Sequence, residues 1–331
     1  MKDYLFDSAR IRTLEAGLIG RERLEVLLAA NTLSDTVQRL SEMGVTVVND
    51  PESGRLLREE TLLAILRTAY AQVVSASPDD KALCLWLYPY DCNNVKAAIK
   101  GFFRGIDPRP MMFDFGTVDV ERAVEMVQSN DFSELPQAMR QAASEAMASF
   151  AKSRDPQRID LILDAACYAD MLSAGEASGV EFAVRLVRAR IDLTNVLTAV
   201  RVLRMKSGEL GRLLLRDALI AGGEIPVQEL SSWCEDGEET LWERLRYSVY
   251  GKLSETVGST EAALREIERG IDRVHMELIR EAKFAAYGAE VLIGYLLARE
   301  YEVKNLRILL AGRELGLSTE TIRERMRDTY V

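Results

Sequence analysis

The stretch EVLIGYLLAREYEVKNLRILLAG, residues 290–312, contains the pattern that decides the fold. Its centre is Glu302-x-x-Asn305, and leucines follow at one, four and five positions past the asparagine. This spacing places the three leucines on one face of an α-helix. The stretch therefore predicts a helix that carries a carboxylate–asparagine pair and continues with an apolar face.

Two weaker copies of the pattern occur earlier in the chain. One contains Asp91 and Asn94, the other contains Asp192 and Asn195, and apolar residues follow each asparagine at the same three positions. The three asparagines are spaced by roughly a third of the chain, as expected for internal repeats. The sequence therefore predicts three similar units, which span residues 1–112, 113–222 and 223–331.

Helical spacing of apolar residues recurs along most of the chain, which predicts an all-α fold. The run VTVV at 45–48 is the one β-branched exception, and it is interpreted as either a short strand or an extended connector. The segment 174–179, AGEASG, is expected to loosen the helical pattern. A long helix is expected to open at Thr260, and the last helix is expected to run from Thr319 towards the C-terminus.

The bulk composition disfavours several partners. A net charge of −10 argues against nucleic acid and against broad docking on anionic lipid. The apolar run at 291–298 is far shorter than the ~20 residues of a membrane-spanning helix, and the N-terminal stretch has no signal-peptide core. The four cysteines form no C-x-x-C pair, so free buried thiols are expected.

The sequence contains no recognisable catalytic, cofactor or metal site. A single histidine, His275, is too few for a His-rich zinc site or a di-iron bundle. No phosphate-binding loop, dinucleotide-binding glycine motif or nucleophile elbow appears. Two alternatives remain at this point: an all-helical enzyme with an unrecognised ligand site, and a solenoid-type scaffold.

The three carboxylate–asparagine pairs have two interpretations. They can bond locally or to a neighbouring backbone and so orient helices, or they can contact a partner directly. Basic residues on the same helices are interpreted as a solvated face or as stripes that line a central cavity. The candidates for cavity lining are Lys96, Lys100, Arg201, Lys304 and Arg307.

Five stretches in order resemble the C subunit of the archaeal and bacterial A/V-type ATPases, which is the counterpart of the d subunit of the eukaryotic vacuolar ATPase. They are ARIRTLEAGLI, YDCNNVKAAIKG, LPQAMRQAASEA with DPQRIDLILD, VRARIDLTNVLTAVR, and GYLLAREYEVKNLRILLAG with TETIRERMRDTYV. The resemblance extends from about Ala9 to Val331. Cys92, inside the first pair, and Tyr168-Ala169 are small departures from the family pattern.

The resemblance implies a funnel of three helical units around a pseudo-threefold axis. It also implies a non-catalytic socket in the central stalk, which receives the D and F subunits of the rotor shaft and sits on the membrane proteolipid ring. Such a protein is a monomer within the complex, holds no cofactor, and is peripheral on the cytoplasmic face of the membrane. It transmits torque between ATP turnover and ion movement.

Overall fold

A computed structural model describes residues 4–74, 80–205 and 208–331 of the chain. These residues form α-helices joined by short loops and three short 3-10 helices, with no β-strand among them. The all-α prediction is therefore confirmed. The helices are α1 Leu5–Glu15, α2 Arg21–Leu28, α3 Leu33–Glu42, α4 Arg58–Val74, α5 Lys81–Cys84, α6 Tyr88–Arg104, α7 Val120–Ser129, α8 Gln137–Ser153, α9 Pro156–Ser178, α10 Glu181–Arg204, α11 Gly208–Ala218, α12 Val227–Glu235, α13 Glu238–Arg246, α14 Gly251–Val257, α15 Leu264–Arg280, α16 Ala289–Glu314 and α17 Thr319–Arg325.

The chain forms two compact units. The first combines Met1–Pro78 with Tyr250–Val331 and contains α1–α4 and α14–α17. The second spans Asp79–Val249 and contains α5–α13. The division into three repeats and the funnel arrangement stay predictions.

The core of the first unit is built around α16, which packs against α1 and α4. Of its 26 residues, 17 are buried, and the run from Val291 to Ala298 is buried without interruption. A helix that is apolar on all sides belongs in a protein core. The apolar run at 291–298 is thus a core segment, and no helix in the described residues has the length and hydrophobicity needed to cross a bilayer.

The second unit is built around α9, which packs against α6, α8 and α10. The segment 174–179 was expected to be loose, but α9 remains helical through Ser178 and ends at Gly179, whose φ is +70°. Gly175 lies within α9 beside Val184 on α10, and a Cβ at that position would lie 3.4 Å from the valine side chain, an ordinary van der Waals contact. The glycine does not interrupt α9, which continues for three more residues.

The run 45–48 is an extended connector rather than a strand. Asn49 and Leu56 form an isolated antiparallel bridge just beyond it, around a turn. The Val48 N–H donates to the Thr61 hydroxyl on α4 (3.0 Å), which ties this connector to a helix. Of the two alternatives left open by the sequence, a short strand and an extended connector, the structure therefore shows the connector.

Two predicted helix ends were wrong. The long helix expected at Thr260 begins at Leu264, because the Glu266 carboxylate accepts the N–H of Ala263 (3.0 Å) and residues 259–262 form a turn. The last helix ends at Arg325, and residues 326–331 are extended. Arg327 in this tail donates to Asp272 on α15 (2.6 Å) and bonds through its backbone to Asn305 on α16, and these hydrogen bonds replace those of a continued helix.

The four cysteines are free, as expected. Three of them are buried and Cys84 is half-buried. Cys92 on α6 donates to the carbonyl oxygen of Leu163 on α9 (3.4 Å). The hydrogen bond with the adjacent Cys92 thiol and burial raise the pKa of the Cys167 thiol well above its ordinary value. The Cys167 thiol therefore remains protonated and serves as a packing group.

Candidate functional site

The first carboxylate–asparagine pair binds the backbone of the loop that follows its own helix, α6. The Asn94 Nδ2 donates to the carbonyl oxygen of Phe113 (2.8 Å), and its Oδ1 accepts the Phe113 N–H (2.7 Å). Asp91 accepts from the N–H groups of Thr117 (2.9 Å) and Val118 (3.1 Å), and from the Thr117 hydroxyl (2.6 Å). We name this arrangement of five residues clamp one.

The second pair, on α10, repeats the arrangement. The Asn195 Nδ2 donates to the carbonyl oxygen of Ile220 (2.7 Å), and its Oδ1 accepts the Ile220 N–H (2.8 Å). Asp192 accepts from the N–H groups of Glu224 (2.7 Å) and Ile225 (3.3 Å). In both clamps the asparagine binds both polar groups of one residue, and the carboxylate binds two consecutive N–H groups further along. These five residues form clamp two.

The third pair, on α16, has the same asparagine hydrogen bonds. Its carboxylate, however, binds a residue from a distant part of the sequence. The Asn305 Nδ2 donates to the carbonyl oxygen of Arg327 (3.0 Å), and its Oδ1 accepts the Arg327 N–H (2.7 Å). Glu302 accepts the N–H of Ile19 (2.7 Å), from the other end of the chain, and forms an ion pair with Arg299 (2.7 Å). These five residues form clamp three.

In clamp three, the helix that begins next to the carboxylate's partner is α2, near the N-terminus. Val118, Ile225 and Ile19 are each buried, and each precedes the first residue of a helix, α7, α12 or α2, by two positions. In the first two clamps this residue follows the asparagine's backbone partner along a continuous loop, whereas Ile19 belongs to a separate segment. The Arg21 N–H also donates to the carbonyl oxygen of Val331 (3.2 Å). Residues 19–21 and 327–331 therefore meet at the place where the other clamps have a continuous loop.

Two glycines make the carboxylate contacts of the first two clamps sterically feasible. Gly116 and Gly223 lie directly before the first N–H that the carboxylate accepts. A Cβ at Gly116 would overlap Asp91 Oδ1, and a Cβ at Gly223 would overlap Asp192 Oδ1. Each loop must therefore have a residue without a side chain where the backbone approaches the carboxylate most closely.

The carboxylate and the asparagine of each clamp, six side chains in all, are buried, between 0% and 4% exposed. Burial raises the pKa of Asp91 to about 6, against the lowering effect of its hydrogen bonds to Thr117 and Val118. Burial likewise raises the pKa of Glu302, opposed by the Arg299 guanidinium and the Ile19 N–H. These six side chains are thus packing groups in contact with their own chain, and their direct contact with a partner stays a prediction.

Four of the five predicted basic residues form ion pairs with carboxylates on neighbouring helices of their own unit. The pairs are Lys96–Asp164, Lys100–Asp160, Lys304–Asp272 and Arg307–Glu59. Arg201 is exposed on α10. Their assignment to the lining of a cavity stays a prediction.

A cavity of about 380 Å³ in the first unit lies against clamp three and is the place where an enzyme-like site could be expected. Its wall includes Tyr295, Arg299, Glu302 and Gln72. These groups bond to one another: Arg299 contacts Glu302 and the Tyr295 hydroxyl (3.2 Å), and Tyr295 donates to Gln72 (3.0 Å). Glu302, whose pKa is raised, therefore belongs to a network of side chains that are hydrogen-bonded to one another.

No metal centre appears among residues 4–74, 80–205 and 208–331, where no group of three or more His, Cys, Asp or Glu side chains could hold an ion. His275 is buried on α15, and its Nδ1 lies 3.0 Å from the Tyr301 hydroxyl.

The backbone partners of the clamps were not predicted from the sequence. They lie 19, 25 and 22 residues after their asparagines, at Phe113, Ile220 and Arg327. A signal for the first two clamps was present: Gly116 and Gly223 each follow a carboxylate–asparagine helix at a similar distance. No comparable signal marks Ile19, which lies 283 residues before Glu302.

Comparison with known proteins places these features in a family. The family model described as ATP synthase (C/AC39) subunit matches residues 8–325. The C subunit of the V-type sodium ATPase of Enterococcus hirae is 24% identical over 326 residues, which cover 97% of each chain. The C subunit of the A-type ATP synthase of Thermococcus onnurineus is 24% identical over 336 residues, covering 98% of this chain and 90% of the relative. That of Methanosarcina mazei is 22% identical over 340 residues, covering 98% and 92%.

Proposed function

We propose, from the premise that the chain belongs to the ATP synthase (C/AC39) subunit family, that it works as the socket of the central rotor. Members of this family are accessory rather than catalytic subunits of A/V-type ATP synthases and ATPases. In the proposed role the chain receives the D and F subunits of the shaft and rests on the membrane proteolipid ring. It transmits torque between the shaft and the ring, as a single copy within the complex.

The observation that carries this proposal is the presence of a clamp on each of three helices, α6, α10 and α16. Two hydrogen bonds from one amide side chain to one residue fix both the position and the rotation of that backbone segment. The bonds are short, 2.7–3.0 Å, and the asparagine side chains are buried, which weakens the competition from water. A protein that transmits torque needs loops that do not yield when a helix is pushed sideways, and the clamps supply this stiffness.

The surface charges support a contact that can separate. Lys304 and Arg307 on α16 have side chains that are each 42% exposed although they form ion pairs with Asp272 and Glu59. The Arg307–Glu59 pair is exposed on both sides, and such pairs contribute only about 0–1 kcal/mol, so a partner's carboxylate can replace Glu59 at little cost. Non-obligate interfaces have polar rims of this kind.

The same role sets the location of the protein. The complex holds the chain at the cytoplasmic face of the membrane, as a peripheral subunit bound through the ring. The net charge of −10 makes protein partners, rather than anionic lipid, the reason for that attachment.

The decisive experiment is affinity purification of the tagged chain from gently solubilised native membranes, with the bound proteins identified by mass spectrometry. Co-purification of the D and F subunits, the catalytic head and a small proteolipid is the expected result. An untagged strain processed in parallel gives the background. Recovery of the chain alone from the soluble fraction would contradict the socket role.

A charge reversal can locate the contact. Arg307→Glu is expected to reduce recovery of the D and F subunits while the chain remains folded, because the Arg307 side chain is partly exposed and its ion pair with Glu59 lies at the surface. Lys152→Glu, on the exposed side of α8, makes the same change in charge and serves as the control. Equal recovery with both variants would remove Arg307 from the contact.

A further inference from the structure

The helix pair α12–α13 concentrates negative charge in the second unit. Residues 224–243 contain seven acidic residues and no basic one, against a net charge of −10 for the whole chain. Two of the seven are neutralised: Glu224 pairs with Arg188 (3.2 Å) and Glu238 with Arg204. The other five are exposed and form no hydrogen bond or ion pair through their carboxylates within the described residues. They are Glu229, Glu235, Asp236, Glu239 and Glu243.

A cavity of about 500 Å³ opens beside Glu229, the one of these five carboxylates that lies in its wall. Its wall includes Trp233 and Glu229 of α12, and Tyr247, Val249 and Arg244 from the end of α13 and the residues after it. Tyr247 is 83% exposed and Val249 is 75% exposed, values that are high for large apolar side chains. The cavity therefore offers aromatic and aliphatic surface to a molecule from outside.

Helical spacing aligns the acidic and aromatic groups. On α12, Glu229 and Trp233 are four residues apart and share one face, and Asp236 follows directly after the helix, three residues past Trp233. On α13, Glu239 and Glu243 are four residues apart, and Tyr247 comes four residues later. Each row thus combines two carboxylates with one aromatic ring. The opposite faces of the two helices are held in the core by four buried residues, Leu230, Cys234, Leu241 and Leu245.

We infer that this surface is a docking site for a basic polypeptide segment of a partner protein. Lysine or arginine side chains of the segment approach the five carboxylates, and one of them lies over the Trp233 or Tyr247 ring, where a cation is attracted by the aromatic face. An apolar side chain of the segment enters the cavity against Val249. The inference does not depend on the socket role.

The chemistry of the surface argues against other occupants. Nucleic acid and anionic membranes carry the same charge as the site and are repelled. A metal ion lacks a set of three converging ligands in the described residues. Arg244 places one positive charge in the cavity wall, which disfavours a simple polyamine and suits a peptide, whose carbonyl oxygens can accept from the guanidinium.

The test uses the full chain and two labelled synthetic peptides of equal length, one with lysines and leucines at helical spacing and one with glutamates in place of the lysines. Binding is measured by fluorescence anisotropy at about 0.05 M and about 0.5 M salt. A second readout is acrylamide quenching of tryptophan, because Trp86 and Trp242 are buried and Trp233 is accessible. The lysine peptide should bind, lose affinity at high salt and protect Trp233 from quenching.

Matched variants separate this site from general attraction to an acidic protein. The triple variant Glu229→Gln, Glu239→Gln and Glu243→Gln should weaken binding about tenfold at low salt, since each exposed charge contributes modestly. A control triple with the same change in charge uses exposed carboxylates outside the site and should weaken binding less than about twofold. The control substitutions are Glu22→Gln, Glu145→Gln and Glu261→Gln.

Tyr247→Ser tests the aromatic part of the site without disturbing the core, because Tyr247 is so exposed. It should weaken binding about threefold, within the range of one exposed cation–aromatic contact. Equal weakening by both triple variants, equal binding of the glutamate peptide, or unchanged quenching of Trp233 would each overturn the inference. Concentration-dependent dimerisation that the first triple variant abolishes would also overturn it, because the occupant would then be a second copy of this chain.

Discussion

Replacing Asn94 with alanine is expected to release the loop that follows α6. The change removes both hydrogen bonds to Phe113, and each such bond contributes about 0.5–1.5 kcal/mol, so the loss is about 1–3 kcal/mol. Alanine is the better helix former and returns up to about 0.7 kcal/mol. With the full return, the net cost to the bound state of the loop is therefore about 0.3–2.3 kcal/mol.

Asn93 offers a matched control one position away. It is exposed on the same helix and forms no hydrogen bond through its side chain in the described structure. Asn93→Ala should therefore leave the loop unchanged and stabilise α6 slightly, by up to about 0.7 kcal/mol. The comparison between the two variants isolates clamp one from the general effect of placing alanine in this helix.

Hydrogen exchange is the suitable assay because the chain has two compact units and its unfolding need not be two-state. A loss of about 1.4 kcal/mol accelerates exchange from a locally opened state about tenfold. In Asn94→Ala, the Phe113 amide should exchange about two- to fiftyfold faster than in the wild type, with little change in α8 and α9. Equal exchange at Phe113 in the two alanine variants would refute the reasoning.

Asp91→Asn should keep the contacts of clamp one and remove the cost of burying a charge. Since the pKa of Asp91 is raised from 3.8 to about 6, the wild type should lose stability relative to this variant as pH rises through that interval, and a pH-independent difference in urea unfolding would contradict this. Gly223→Ala should destabilise the second unit because its Cβ overlaps Asp192, and the effect should shrink in an Asp192→Ala background; strictly additive effects in thermal unfolding would argue against the overlap. Deletion of residues 327–331 should lower the midpoint of thermal unfolding because it leaves Asn305 without its partner, whereas removal of only the last residue should have a small effect; similar midpoints for the two deletions would contradict the importance of clamp three.

The helices were largely predictable from the sequence because helical periodicity is a local property. The ends that were wrong, at Thr260 and after Arg325, depend on interactions that periodicity does not record. Glu266 caps the helix that begins at Leu264, and Asn305 holds the tail that follows Arg325 in an extended conformation. In both places a side-chain hydrogen bond to the backbone outweighs the helical preference of the residues.

The residues of the candidate site could be predicted from the sequence, but the groups that they contact could not. Sequence spacing identified the six clamp residues, and it left open whether they contact a partner or their own chain. In the structure the six side chains are buried and bonded to backbone groups of their own chain, and their contact with a partner stays a prediction. The acidic docking surface was not predicted, because the sequence shows the charge of residues 224–243 without showing the cavity beside them.

The sequence by itself determined the all-α class, the threefold recurrence of a carboxylate–asparagine pair and membership of the family, since these depend on residue order alone. Only the tertiary structure decided what each pair binds. The partners of Asn94 and Asn195 follow at 19 and 25 residues, and that of Glu302 lies 283 residues away at the start of the chain. Contacts over such separations form only when whole helices have packed, because burial removes the competing water and leaves the unpaired backbone groups one set of partners.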